Sequence, residues 1–345
     1  MAIATLLVYW PGLAGGFLFD DHSNLKLLAN FGRVDDWDSF WLYVLSGFSG
    51  PTGRPLSYLS FLIDANHWPA DPWPFKRTNV LIHMTTGLLL LGLLRSLVLA
   101  LGYPARRATW IALTAAALWL LHPLWVSTTL YVVQRMAQLA TLFVIAGLWA
   151  WVHLRLRREP RLDARWVLLG GAAIIPATLL ATLSKENGAL LPVLTLVLEA
   201  TILAAMDARL GRIPSRGFRW FCWILLGTPA LLIIGYLLSR FPALLAGDAG
   251  SRDFTPGERL LTQARILWQY VQHLLLPWPY PGGIFHDDLQ HSTGLFRPWT
   301  TALAVAGWLA VTALAWRYRR AWPAASAAVL FFLTGHLLES SFINL

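Results

Sequence analysis

NVLIHMTTGLLLLGLLRSLVLALGYPARRATWIALTAAALWLLHPLWVS, residues 79–127, decides the fold class. Two apolar runs, 79–102 and 108–127, each reach the roughly 20 residues a helix needs to cross a bilayer. Between them stand Gly102, Pro104 and the pair Arg106-Arg107, the marks of a tight, positively charged connection. Working outward, comparable runs lie near 2–19, 136–154, 166–183, 189–206, 220–239, 298–316 and 321–338, which predicts about nine transmembrane helices. The composition agrees: 57% of the 345 residues are hydrophobic and 13% charged, with a mean hydropathy of +0.54, whereas a soluble domain carries about 25% charged residues. Disorder is excluded by the hydrophobicity, and an internal disulfide by the single Cys222.

A net charge of +9 would suggest nucleic acid in a soluble chain. Here the charges sort along the sequence instead. With the amino terminus in the cytoplasm, Arg106 to Arg107, Arg155 to Arg165, Arg209 to Arg219 and Arg317 to Arg320 fall in four successive short inner loops. Those loops hold 14 Arg against three acids, while the outer segments hold 12 Lys plus Arg against 14 acids. The positive-inside rule therefore fixes the orientation. Arg95 sits near the inner end of its helix and can snorkel, while Glu199, also within a span, is less easily explained. Two outer segments are long, 20–78 and 240–297, with amphipathic stretches at Asp38 to Leu45 and Arg259 to Leu276 that read as helices on the membrane surface. The chain reads as an all-α polytopic membrane protein, one domain over 1–345. The first run carries Pro11 and three glycines and lacks a basic leader, so it is expected to stay as a helix.

The unusual polar residues collect on the outer side of this topology: Asp20, Asp21 and His22 after the first span, Arg54 in Gly53-Arg54-Pro55, His83, His122 before Pro123, Gln134 with Arg135, Lys185 with Glu186, and His286, Asp287 and Asp288. Ionisable groups at membrane depth are costly and mark a pathway or a site. Two adjacent carboxylates where a helix emerges raise one another's pKa by repulsion and desolvation, which suits a general base, although a solvated loop start carries the same pair. Arg135 and Lys185, at span ends, can grip a lipid phosphate or act as snorkelling anchors. Arg54 can do the former or hold its loop to Asp64. Lys185-Glu186 also reads as an ion pair at a helix break turned by Asn187-Gly188, and His122-Pro123 as a helix end. His286-Asp287-Asp288 invites a metal, but consecutive residues cannot all face one way, and an ordered loop is the preferred reading. The sequence has no Walker loop, no G-x-S-x-G elbow and no H-E-x-x-H motif.

Several segments resemble the GT-C superfamily of polyprenyl-phosphate-sugar glycosyltransferases, and are similar in particular to the membrane part of the transmembrane-and-tetratricopeptide-repeat protein O-mannosyltransferases and their bacterial relatives. They are Phe19-Asp20-Asp21-His22, Gly53-Arg54-Pro55-Leu56-Ser57, Asn79-Val80-Leu81-Ile82-His83, His122-Pro123, Val133-Gln134-Arg135, Ser184-Lys185-Glu186-Asn187-Gly188, and Phe285-His286-Asp287-Asp288 followed by Ser292-Thr293-Gly294-Leu295. The resemblance implies an inverting transfer of a monosaccharide from a polyprenyl phosphate to an acceptor hydroxyl of protein or glycan on the outer face. Asp20 or Asp21 would be the base, with Arg54, Arg135 and Lys185 at the donor phosphate. No cofactor is expected, a monophosphate leaving group not requiring a divalent metal, and no nucleic acid. The implied location is a bacterial inner membrane with a periplasmic site. Family members continue with further membrane helices and a tetratricopeptide domain, so the end at Leu345 implies a truncated or short form. A transporter or flippase of polyprenyl-linked or other anionic lipid is the rival reading, but it favours midplane polar residues and paired broken helices, against the one-sided polarity found here. A scaffold whose outer loops bind another protein is a third.

Overall fold

The computed structural model describes residues 1–246, 254–277 and 290–341. They are helical, with no strand among the described residues. Six helices are long and apolar enough to cross a membrane: Pro72–Ala100, Val132–Arg157, Ala164–Ser184, Glu186–Arg209, Arg216–Ser239 and Thr300–Arg317. This is an integral membrane architecture. The other three expected spans form shorter helices. The first, α1 (Ala2–Tyr9), tightens into a 3-10 turn, Trp10–Ala14, where Pro11 removes a donor. The run at 108–127 gives a 16-residue helix, Ala105–Leu120, that stops before His122-Pro123, and the last gives Pro323–Gly335. At 1.5 Å per residue a 13-residue helix spans about 20 Å, short of a hydrocarbon core of about 30 Å.

The chain divides into two compact units, Met1–Leu191 and Pro192–Leu345. In the first, α1 is followed by α2 (Asp20–Leu25), α3 (Trp37–Leu45), α4 (Pro55–Phe61), α5 (Pro72–Ala100), α6 (Ala105–Leu120), α7 (Trp125–Leu130), α8 (Arg135–Arg157) and α9 (Ala164–Ser184). The long α5 packs on α6 and α8, and α8 on α9. The segment expected on the membrane surface does more than lie there. Leu25, Leu28, Tyr43, Tyr58 and Phe61 from α2–α4 and the turns between them bury against Phe75 of α5 and Val132, Val133 and Met136 at the start of α8. Each such side chain contributes roughly 1.5–3 kcal/mol by leaving water. A capping box of Asp36 and Ser39 starts α3, and the Asp71 carboxylate accepts from Trp73 N–H to start α5 just ahead of Trp73 and Pro74. A packed layer thus sits over one end of the helix group.

In the second unit follow α10 (Leu191–Leu198), α11 (Ala204–Arg209), α12 (Arg216–Cys222), α13 (Thr228–Ala246), α14 (Pro256–Leu275), α15 (Thr300–Arg317) and α16 (Pro323–Gly335), with π-helical turns at Glu199–Leu203 and Trp223–Gly227. A capping box of Thr255 and Glu258 starts α14, the second expected amphipathic helix. Trp268 of α14 stacks on Trp308 of α15 at 4.2 Å, and Trp308 on Phe332 of α16. Ser292, from the second half of the last quoted motif, is buried: its N–H donates to Thr262 Oγ1 and its hydroxyl bonds Thr301. His286, Asp287 and Asp288 lie outside the described residues.

Candidate active site

The acidic pair opens α2, and its two members face different worlds. Phe19, at φ 32°, turns the chain sharply before Asp20, and it is one of two non-glycine residues at positive φ among the described residues; the other is Arg54 at φ 51°. Such backbone costs energy and persists where surrounding structure holds it. After this turn Asp21 points inward and is fully buried. Its Oδ1 accepts from Val133 N–H at 2.7 Å and its Oδ2 from Leu18 N–H at 2.9 Å. Burial pushes the Asp21 carboxyl above the usual carboxylate range, against these hydrogen bonds and the charge of Lys76. Of the two causes expected from the sequence, desolvation is present and repulsion from Asp20 is not among the reasons.

Asp20 stays exposed. Its N–H donates to the Tyr131 hydroxyl at 2.9 Å, and its carbonyl accepts from Asn24 Nδ2 at 2.8 Å. Burial raises the pKa of the Tyr131 phenol, and the two nearby aspartates add to the effect. The carboxylate able to meet a substrate is therefore that of Asp20, and that of Asp21 ties the loop to the start of α8.

Sequence reading missed Lys76. Its side chain is buried in the first turns of α5, and its Nζ makes one long contact, 3.5 Å to Gly12 O, with Asp21 as its nearby countercharge. A Cβ on Gly15 would lie 2.8 Å from that Nζ, so the turn after α1 runs close over the ammonium. A signal existed: the chain has 24 Arg and only three Lys, and two of these, Lys76 and Lys185, fall in this cluster.

The second half of the cluster is built on Glu186, which follows the break after α9. Arg54 meets it through Nη2 at 2.8 Å and Nε at 3.0 Å, and Thr52 donates its hydroxyl at 2.8 Å. Gly50, at φ 80°, lies against this pair, and a Cβ there would come within 2.3 Å of Glu186 Oε1. Asn24 joins the halves, its Oδ1 accepting from Ser49 and Tyr58 while its Nδ2 reaches Asp20. Arg54 thus holds Glu186, not Asp64. Lys185 is half-buried in extended backbone between α9 and the next turn.

Arg135 has a different place from the one expected. Its guanidinium is fully buried, 2.6 Å from Asp64, with Nε donating to Asn79 Oδ1, Nη1 to Ser60 O and Nη2 to Phe75 O. The rings of Phe61 and Phe75 lie over it at 5.0 and 5.6 Å. Every nitrogen is committed inside the protein, so Arg135 locks α4, α5 and α8 together and has no fork left for a phosphate. Gln134 is half-buried one residue earlier, and His122 Nδ1 accepts from Leu124 N–H as the chain turns into α7. No group of three or more metal-ligating side chains occurs among the described residues.

Five of the quoted segments, spread from Phe19 to Gly188, therefore meet in one cluster. The chain matches no protein-family model, no curated protein and no solved structure, so its function must be argued from this cluster.

Proposed function

We propose that the chain is an integral membrane glycosyltransferase that moves a monosaccharide from a polyprenyl-phosphate donor onto an acceptor hydroxyl, as the GT-C resemblance implies. One observation carries the reading. Two adjacent carboxylates emerge beside membrane-spanning helices, one exposed and one locked, with strained backbone before Asp20 and at Arg54 holding the loops that form the cluster. Asp20 takes the proton of the acceptor hydroxyl as its oxygen bonds the anomeric carbon from the face opposite the phosphate. The sugar–phosphate C–O bond breaks, its electrons leave with the polyprenyl phosphate, and the anomeric configuration inverts. Lys76, Lys185 and Arg54 supply positive charge on this side of the first unit, and charge placed where the leaving phosphate develops it is worth a few kcal/mol.

Sugar release from radiolabelled polyprenyl-phosphate monosaccharides by the purified protein, offered peptide and glycan acceptors, tests the reading. Transfer that disappears in Asp20→Asn supports it. Wild-type protein that moves such lipids between leaflets without breaking the sugar–phosphate bond would instead establish the flippase reading.

A further inference from the structure

A cavity of about 110 Å³ lies in the first unit between α5, α6, α7 and α8, apart from the acidic cluster, lined by His83, Trp119, Trp125, Thr128, Gln138 and Thr141 among others. Its polar groups are unsatisfied in a particular way. Gln138 is buried, and its Nε2 donates to Thr128 O at 2.8 Å, which fixes the amide orientation and leaves Oε1 as an acceptor with no partner. The Trp125 indole N–H is a buried donor with no partner. His83 Nε2 lies 3.0 Å from Leu120 O; a carbonyl can only accept, so Nε2 carries the proton. The ring is held in that pose by stacking on Trp119 at 4.7 Å and an edge contact with Tyr9 at 5.3 Å.

One unpartnered acceptor and one unpartnered donor, with no lysine, arginine, aspartate or glutamate on the wall, match a group that both donates and accepts and bears no charge. That group is a hydroxyl. A cavity of about 150 Å³ holds benzene, so this one encloses roughly four or five heavy atoms: a glyceryl end or a short alcohol, and not a whole sugar ring. Of the lining residues Thr141 is exposed, and Leu118, Leu121 and Val126, close in sequence to the lining Trp119 and Trp125, are exposed apolar side chains. His83 lies 11 residues into α5, about 16 Å along a helix long enough to span. We infer that this cavity is a binding site for the hydroxyl end of a neutral amphiphile, which enters from the lipid side and leaves its tails among the exposed apolar residues. The inference does not depend on the transferase reading.

The test uses the purified full chain in phosphatidylcholine nanodiscs with a diazirine-tagged diacylglycerol. Comparison probes are its O-methyl ether and a phosphatidylcholine carrying the same tag, with labelled peptides mapped by mass spectrometry. The diacylglycerol is expected to label peptides spanning Trp119 to Thr141 at least fivefold more than the ether, the loss a single missing hydrogen bond produces. Trp125→Phe and Gln138→Met should each lower that labelling to a similar degree while eluting from size exclusion as wild type does. Should either variant misfold, the wild-type contrast between alcohol and ether still decides. Displacement of the label by free glycerol would keep the hydroxyl chemistry and make the ligand a soluble polyol. Equal labelling by alcohol and ether would overturn the proposal, leaving an apolar crevice. Labelling no higher than that of the phosphatidylcholine probe would overturn it too, leaving a cavity that holds water only.

Discussion

Replacing Asp20 and Asp21 in turn by asparagine separates the base from the clamp. Asp20 is exposed; its N–H and carbonyl contact Tyr131 and Asn24, and its carboxylate also hydrogen-bonds the Tyr131 hydroxyl, so Asp20→Asn, which keeps an oxygen acceptor there, should cost little in thermal unfolding. Transfer should fall about 10²- to 10⁴-fold, the usual worth of a positioned base. Asp21→Asn is a different perturbation. The asparagine oxygen can accept from Val133 N–H or from Leu18 N–H, but its NH₂ then faces the other donor, leaving a buried group unpaired at about 1–3 kcal/mol. That variant should unfold at a lower temperature and lose activity in proportion to the displaced loop. The assays are sugar transfer in detergent and thermal unfolding of the same preparations. If Asp21→Asn abolished transfer at unchanged stability while Asp20→Asn stayed active, the assignment would be wrong.

Arg135→Met strands Asp64 in the interior, and breaking a buried pair of this kind costs about 3–5 kcal/mol, so the folded fraction on size exclusion should collapse; Arg135→Lys should rescue it only in part, lacking the fork that serves four partners. Gly50→Ala forces a Cβ onto Glu186 at a positive φ and should lower both transfer and stability, whereas Gly32→Ala, also at positive φ but with open space around it, should cost only the backbone term of about 1–2 kcal/mol, read by thermal unfolding. Because burial holds the Asp21 pKa above its unfolded value, its protonated form favours the fold. That contribution is fully present below about pH 4 and is lost as pH rises through the raised pKa, so the stability of wild type relative to Asp21→Asn should decline over that interval. Chelator should leave transfer intact, since the leaving monophosphate meets side-chain cations; sensitivity would direct attention to His286, Asp287 and Asp288.

The residues that form the site were legible in the sequence more clearly than their roles. Asp20-Asp21, Arg54, Arg135 and Glu186 stand out because charge beside a membrane span needs a reason. Which aspartate is exposed depends on the turn at Phe19 and on a backbone N–H 112 residues away, and no local pattern encodes either. Arg135 reads as an interfacial cation until Asp64 closes on it, a contact between residues in different elements. Hydropathy located the six long spans well. At 2–19, 108–127 and 321–338 the apolar runs continue through Pro11, through His122-Pro123 and past Gly335, where the helices stop.

The tie between Asp21 and Val133, and that between Arg54 and Glu186, also set a schedule for biogenesis. During synthesis the acidic turn leaves the ribosome long before either partner. At about 5–20 residues per second, some ten to thirty seconds separate the emergence of Asp21 from that of Glu186. Val133 emerges about two thirds of the way through that interval and Glu186 at its end, so the first long loop is held in two steps, by the Asp21 tie before the Arg54 tie.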